Sequence, residues 1–201
     1  MHMSNDLPSL PGGDWSLGDR RVTRFGYGAM QLAGPWVMGP PADVDGAVAL
    51  LKAVVERGIT HIDTSDAYGP RVTNRLIRDA LSPYPESLFI ATKVGATRDA
   101  EGGWPVARRP DQLRRQVDDN LESLGVDALD LVNLRLGDAE GPAEESLAEA
   151  FETLVELQQQ GVIRNLGLSN VTTRQGAAIE LSREDLAELD AIGRQPALGP
   201  A

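Results

Sequence analysis

His61-Ile62-Asp63-Thr64-Ser65-Asp66-Ala67-Tyr68-Gly69 changes character half way along. It follows Gly58, a helix stop, and Ile59-Thr60-His61-Ile62 reads as the start of a strand. Two carboxylates and a tyrosine come next, before the break at Gly69-Pro70. In α/β proteins, functional groups collect where parallel strands end at their carboxyl side. An aspartate and a tyrosine five residues apart at such an end could act as an orienting base and a proton donor. The same residues admit a plainer use, with Asp63 and Asp66 capping the next helix and Tyr68 packing on the loop.

Outward from this stretch the chain alternates. Upstream, Trp15 to Thr23 reads as a short hairpin around Gly18-Asp19. Phe25 to Leu32 is a glycine-rich strand candidate, and Gly34 to Pro41 is a loop carrying Trp36. Gly26-x-Gly28 lacks the third glycine and the immediate helix of a dinucleotide fingerprint. Asp43 or Asp45 caps a helix with Val48, Leu51, Val54 and Val55 at helical spacing. Downstream, a short helix over Asn74 to Leu81 precedes Leu88 to Val94, an almost wholly apolar strand of the kind covered on both faces. Gly95 to Arg109 is a long loop with Trp104. Asp111 to Leu124 is an amphipathic helix stopped by Gly125. Leu129 to Leu136 is a second buried strand, Ala143 to Gln160 a helix, and Val162 to Asn170 the last clear strand.

Strand and helix in strict alternation imply a parallel sheet with right-handed crossovers. Polar residues sit at four strand ends: Asp63 with Tyr68, Lys93, Arg135, and Ser169 with Asn170. Several strands serving one mouth favour a barrel over an open sheet, which concentrates its site at one switch point.

Composition sets the outer bounds. The chain has 201 residues, 41% of them hydrophobic, and one domain spanning 1–201 is expected, with residues 1–14 as a loose leader. No run nears the roughly 18 apolar residues of a membrane span. There is no cysteine, so disulfides and thiolate metal sites are excluded, and a cytoplasmic setting is the default expectation. A net charge of −11 argues against nucleic acid. An anionic cofactor would need a local positive site.

Asp63-Thr64-Ser65 running to Tyr68-Gly69, then Thr92-Lys93, then Gly167-Leu168-Ser169-Asn170, resemble the aldo-keto reductases. The segment from Gln112 through Val117-Asp118, Leu121 and Leu124-Gly125-Val126-Asp127 to Leu129-Asp130-Leu131 is similar to that family's second signature. Gly28-Ala29-Met30-Gln31-Leu32-Ala33-Gly34-Pro35 is most like bacterial members related to pyridoxal reductases. The resemblance covers about residues 16–175. It implies a parallel (β/α)8 barrel of TIM type and NADPH-dependent reduction of an aldehyde or ketone, with a pyridoxal-like compound as one candidate. Tyr68 would give the carbonyl oxygen its proton. A tyrosine near its ordinary pKa of about 10 is a poor donor at neutral pH. Lys93, held by Asp63, would stabilise the developing tyrosinate. Ser169 and Asn170 would grip the nicotinamide carboxamide, with Gly28, Ala29, Met30 and Asp63 also along the cofactor. Two other readings use the same letters: an aldolase forming a Schiff base at Lys93, and a metal hydrolase built on His61, Asp63 and Asp66.

The chain departs from the family twice. Arg135 stands where the family has a catalytic histidine, and arginine cannot act as a neutral imidazole. It could polarise the carbonyl, bind an anionic group on the substrate, or form a salt bridge with Asp138. Strands begin near Thr60, Leu88, Leu129 and Val162, 28 to 41 residues apart, and 31 residues follow Asn170. Eight such units need about 270 residues. The expectation is therefore an incomplete barrel of about five βα units, closed by a C-terminal helix from Ser182, with a deletion junction near 175–179. In this fold the phosphate site lies after strands seven and eight, so weak NADPH binding and doubtful activity are expected, with self-association through exposed barrel edges. A degenerate, inactive chain serving as an assembly subunit is the non-enzymatic alternative.

Overall fold

A computed structural model describes residues 12–18, 20–138, 141–143 and 146–177. Strands β1 (Asp14–Leu17) and β2 (Arg20–Thr23) form an antiparallel hairpin, as the alternation predicts. The next strand is far shorter than the predicted Phe25 to Leu32. Only Tyr27–Gly28 pairs (β3), and Ala29–Leu32 coils into a 3-10 turn that buries Ala29 and Leu32. The run of small residues lets the chain turn inward as soon as Gly28 has met its partner.

Helix α1 (Val44–Glu56) starts where Asp43 accepts a hydrogen bond from the Gly46 amide at 2.8 Å. It buries Ala47, Leu51 and Val54, spaced to share one face. Then follow β4 (His61–Asp63), α2 (Val72–Leu81), β5 (Phe89–Val94), α3 (Pro110–Leu124), β6 (Leu129–Arg135), α4 (Ala148–Gln159), β7 (Ile163–Ser169) and α5 (Thr173–Ala177). Helix α3 ends at Gly125, whose φ of 69° and amide bond to the Leu121 carbonyl form a left-handed stop. Two helix starts shift from expectation: α2 begins two residues earlier, and α4 begins at Ala148 rather than Ala143. The C-terminal helix expected from Ser182 lies outside the described residues, as do residues 1–11; of the expected junction, residues through Ala177 fall in α5.

The large sheet runs β3-β4-β5-β6-β7, every neighbour parallel and every step to the next strand in sequence. A sheet that always steps the same way curves as an arc of a barrel, and the strand order has no reversal that would make an open-sheet switch point. The helices cover one face, burying Ile62, Ile90, Val94, Val132 and Leu134 among the stripes of α1 to α4. On the other face, Phe89, Ala91 and Leu131 pack beneath Val22, Trp15 and Leu17, so the hairpin closes its amino-terminal end.

Candidate active site

Strand register assembles the polar residues. Side chains alternate between faces, so directly paired residues share one. Gly28 is level with Asp63, and Asp63 with Ala91; Lys93 is level with Asn133, and Arg135 with Ser169. Asp63, Lys93, Arg135 and Ser169 are therefore all on the face away from the helices, at the carboxyl ends of β4 to β7. Period-two alternation makes the lower part of this face apolar and its upper rim polar.

The Lys93 ammonium donates to Asp63 Oδ1 in a direct ion pair, and to the Thr64 carbonyl at 3.2 Å. It stands 5.4 Å from the centroid of the Tyr68 ring. Tyr68 is buried at 8% exposure, on a turn whose amide bonds to the Ser65 carbonyl at 3.1 Å. Gly69 closes that turn with φ 78°, and a Cβ there would strike Val72 at 2.7 Å. Neither aspartate caps α2: its N-cap is Arg71 in the left-handed region, without a side-chain capping bond. Asp63 is committed to the lysine.

Above these groups lies a cavity of about 250 Å³, lined by Met30, Tyr68, Lys93, Trp104, Arg135 and Asp138 among others. The loop after β5 forms one wall. It can leave the sheet so abruptly because Gly95, at φ 111°, passes so near Arg135 that a Cβ would collide with its carbonyl oxygen. Trp104 from this loop meets the Tyr68 ring edge to face at 6.4 Å. Arg98 stacks its guanidinium 4.0 Å over Trp104 and donates to the Trp36 carbonyl at 2.6 Å. Thus Arg98 joins the two loops flanking the mouth. Trp36 and Val37 both have positive φ, and the Trp36 ring is 90% exposed.

Behind the site is a buried polar network that the sequence reading does not reveal. Thr64 Oγ1 donates to Asn74 Oδ1 at 2.8 Å, and Asn74 donates to Asn120 and Ser123 at 3.0 Å each. Thr92, beside Lys93, donates to Asn120 at 2.6 Å. Gln116 accepts from the Gly95 amide at 2.8 Å. Asp66 sits against this network at 7% exposure; one of its oxygens, Oδ1, has no partner. Burial pushes its pKa up to about 7, with the Asp119 charge adding to the rise while Asn120, the Ala67 amide and Arg71 oppose it. The available signal is on α3: Gln116, Asn120 and Ser123 recur at helical spacing beside the apolar stripe, so their amides and hydroxyl face inward.

The remaining candidates fall as follows. Arg135 donates to the Asp138 backbone carbonyl at 3.2 Å, and the Asp138 carboxylate accepts from the Gly141 amide at 3.2 Å. Asn170, at φ 56°, donates to the Leu136 carbonyl at 2.8 Å and the Asp138 carbonyl at 3.2 Å. Its amide is thereby fixed beside Ser169, presenting a hydroxyl and an amide oxygen at one strand end. Gly28 faces open space, Met30 lines the cavity, and the Ala29 side chain is buried in the core. His61 packs against Phe89, and among the described residues no three His, Asp or Glu side chains converge as metal ligands. No helix among the described residues is long and apolar enough to cross a membrane.

Comparison with known proteins places this geometry. The sequence profile of the Aldo/keto reductase family matches residues 24–192. Pyridoxine 4-dehydrogenase of Escherichia coli is 52% identical over 165 residues, which is 81% of this chain and 58% of that protein. An uncharacterized oxidoreductase of Schizosaccharomyces pombe is 36% identical over 84% of this chain and 54% of its own length. The structure of a glycerol dehydrogenase of Gluconobacter oxydans superposes with a TM-score of 0.70 at 29% identity, covering 84% of this chain and 51% of that one. The chain thus spans little more than half the length of the relatives it matches.

Proposed function

The chain belongs to the aldo/keto reductase family, and we propose that its site is built to protonate a carbonyl oxygen while hydride reaches the carbonyl carbon, making an alcohol from an aldehyde or ketone. The observation that carries this reading is the Asp63–Lys93–Tyr68 arrangement at the floor of the cavity.

Each residue has a separable task. Tyr68 gives its phenolic proton to the substrate oxygen, so negative charge develops on the ring as the new O–H forms. The Lys93 ammonium stabilises that charge, and its own position is set by Asp63 and the Thr64 carbonyl. Partial burial of Lys93, at 17% exposure, strengthens its field over what a surface lysine would give. Trp104 and Met30 exclude water from the floor and offer apolar area to a substrate ring. Arg135 replaces an imidazole donor with a permanent cation.

A nicotinamide cofactor, NADPH in this proposal, would supply the hydride. The Ser169 hydroxyl and Asn170 amide oxygen fit its carboxamide, and Gly28, across the sheet, faces open space. By analogy with the pyridoxine 4-dehydrogenase relative, a pyridoxal-like planar aldehyde is the candidate substrate.

The test is single-turnover reduction of pyridoxal at millimolar NADPH. Tyr68→Phe and Lys93→Met should each slow it by roughly 100-fold or more, the usual contribution of a positioned acid. Wild-type rates in Tyr68→Phe would refute the assignment. A mass increase on Lys93 after borohydride treatment with a carbonyl substrate would favour Schiff-base chemistry instead.

A further inference from the structure

We propose that Arg135 selects carbonyl substrates bearing an anionic oxygen on a planar ring next to the carbonyl group. This rests on the carbonyl-reduction reading of the same site.

Among the described residues, four ionised groups concern the cavity: Lys93, Asp63, Arg135 and Asp138. Lys93 and Asp63 neutralise each other. The Asp138 carboxylate is turned into its own loop, receiving the Gly141 amide. Arg135 lines the cavity, and among the described residues its guanidinium makes one hydrogen bond, to the uncharged Asp138 carbonyl. A cation facing a half-enclosed space without a carboxylate partner favours an anionic ligand.

Geometry narrows the class. The guanidinium is planar, and one edge matches two oxygens lying side by side. The lining also has an apolar and aromatic part, with Met30, Val94, Ala96 and Trp104 suited to a flat ring. A cavity of about 250 Å³ holds one such ring. A ring whose carbonyl must reach Tyr68, and whose anion must reach Arg135 in so small a space, carries the two groups on adjacent positions. A carboxylate and an ionised ring hydroxyl share this chemistry.

The test is calorimetric titration of the full chain at neutral pH with 2-carboxybenzaldehyde, 4-carboxybenzaldehyde, benzaldehyde and salicylaldehyde. Borohydride-quenched aliquots are weighed by mass spectrometry so that an imine at Lys93 is counted separately. The expected result is at least 10-fold tighter binding of 2-carboxybenzaldehyde than of its 4-isomer or the parent. Arg135→Gln should shrink that preference to within threefold. Arg135→Lys, which keeps the charge but loses the fork, should retain attraction for both acids and lose discrimination between the isomers. Salicylaldehyde is titrated separately, above the pKa of its hydroxyl, where the ring oxyanion should likewise bind more tightly than benzaldehyde. Equal affinity for the two isomers, an unchanged preference in Arg135→Gln, or no binding of any member would overturn the proposal. Binding with the stated preference but no reduction of the same aldehydes in the single-turnover assay with NADPH would refute the reduction reading and leave this inference standing; reduction without preference would do the reverse.

Discussion

Asp66 occupies an environment that costs the fold stability. Its carboxyl is buried, half unsatisfied and shifted from 3.8 to about 7. The native state therefore holds a proton that the unfolded chain releases between about pH 4 and pH 7. Across that window the unfolded state binds fewer protons, so stability must fall as pH rises. Above pH 7 the full penalty is present, on the order of 4 kcal/mol. Asp66→Asn resembles the protonated acid and should abolish this slope. Its melting temperature should match the parent near pH 4 and exceed it at pH 8, by scanning calorimetry at both pH values. An identical pH profile in the two proteins would show that Asp66 ionises freely. None of this is legible in the sequence, where Asp66 looks like any loop or capping acid. Burial comes from α3, some fifty residues away. Asp63 and Lys93 are legible as the polar ends of predicted strands, and the family resemblance groups them with Tyr68 in the turn after Asp63. The relation between the Arg135 guanidinium and the carboxylate three residues on is not, because it depends on the backbone path that bonds Asp138 into its own loop.

Elements explain why the site holds its shape. Asn120 on α3 accepts from Thr92 on β5 and from Asn74 on α2, so one side chain ties the strand that carries Lys93 to two helices. Asn120→Ala leaves the Thr92 hydroxyl buried without its acceptor and Asn74 with Ser123 alone, and each unsatisfied group costs about 1–3 kcal/mol. Urea unfolding should therefore show a loss of about 3 kcal/mol; a loss under about 1 kcal/mol would mean that water or relaxation replaces the network. At the mouth, Arg98 reaches from the β5 loop to the Trp36 carbonyl. Arg98→Ala should raise hydrogen exchange in both the 34–41 and 95–109 loops while leaving α3 protected. Most elements are visible in the sequence through apolar stripes and glycine stops. Two are not. Glycine-rich Phe25 to Leu32 has β-like composition but turns after two paired residues, and Ala143, Ser146 and Leu147 lie outside the helix despite the helix-forming composition around them.

For the whole molecule, a barrel arc has consequences that no single element reveals. Among the described residues β3 pairs only with β4 and β7 only with β6, so both outer strands present unpaired backbone groups. Such edges invite pairing with other chains. We therefore expect the purified chain to associate with rising concentration in sedimentation velocity; a monomer at all concentrations would count against this. The family profile extends over most of the chain while the curated relatives are nearly twice as long as the matched part. The barrel class itself is legible, because several polar strand ends can meet only around a common mouth. Strand order also bears on how the molecule is made. Each strand of the large sheet lies beside its predecessor in the chain, so nothing waits for a distant segment to fill a gap. A ribosome releasing this sequence would deliver each unit next to a template already in place, and assembly could proceed from the amino terminus at the pace of translation.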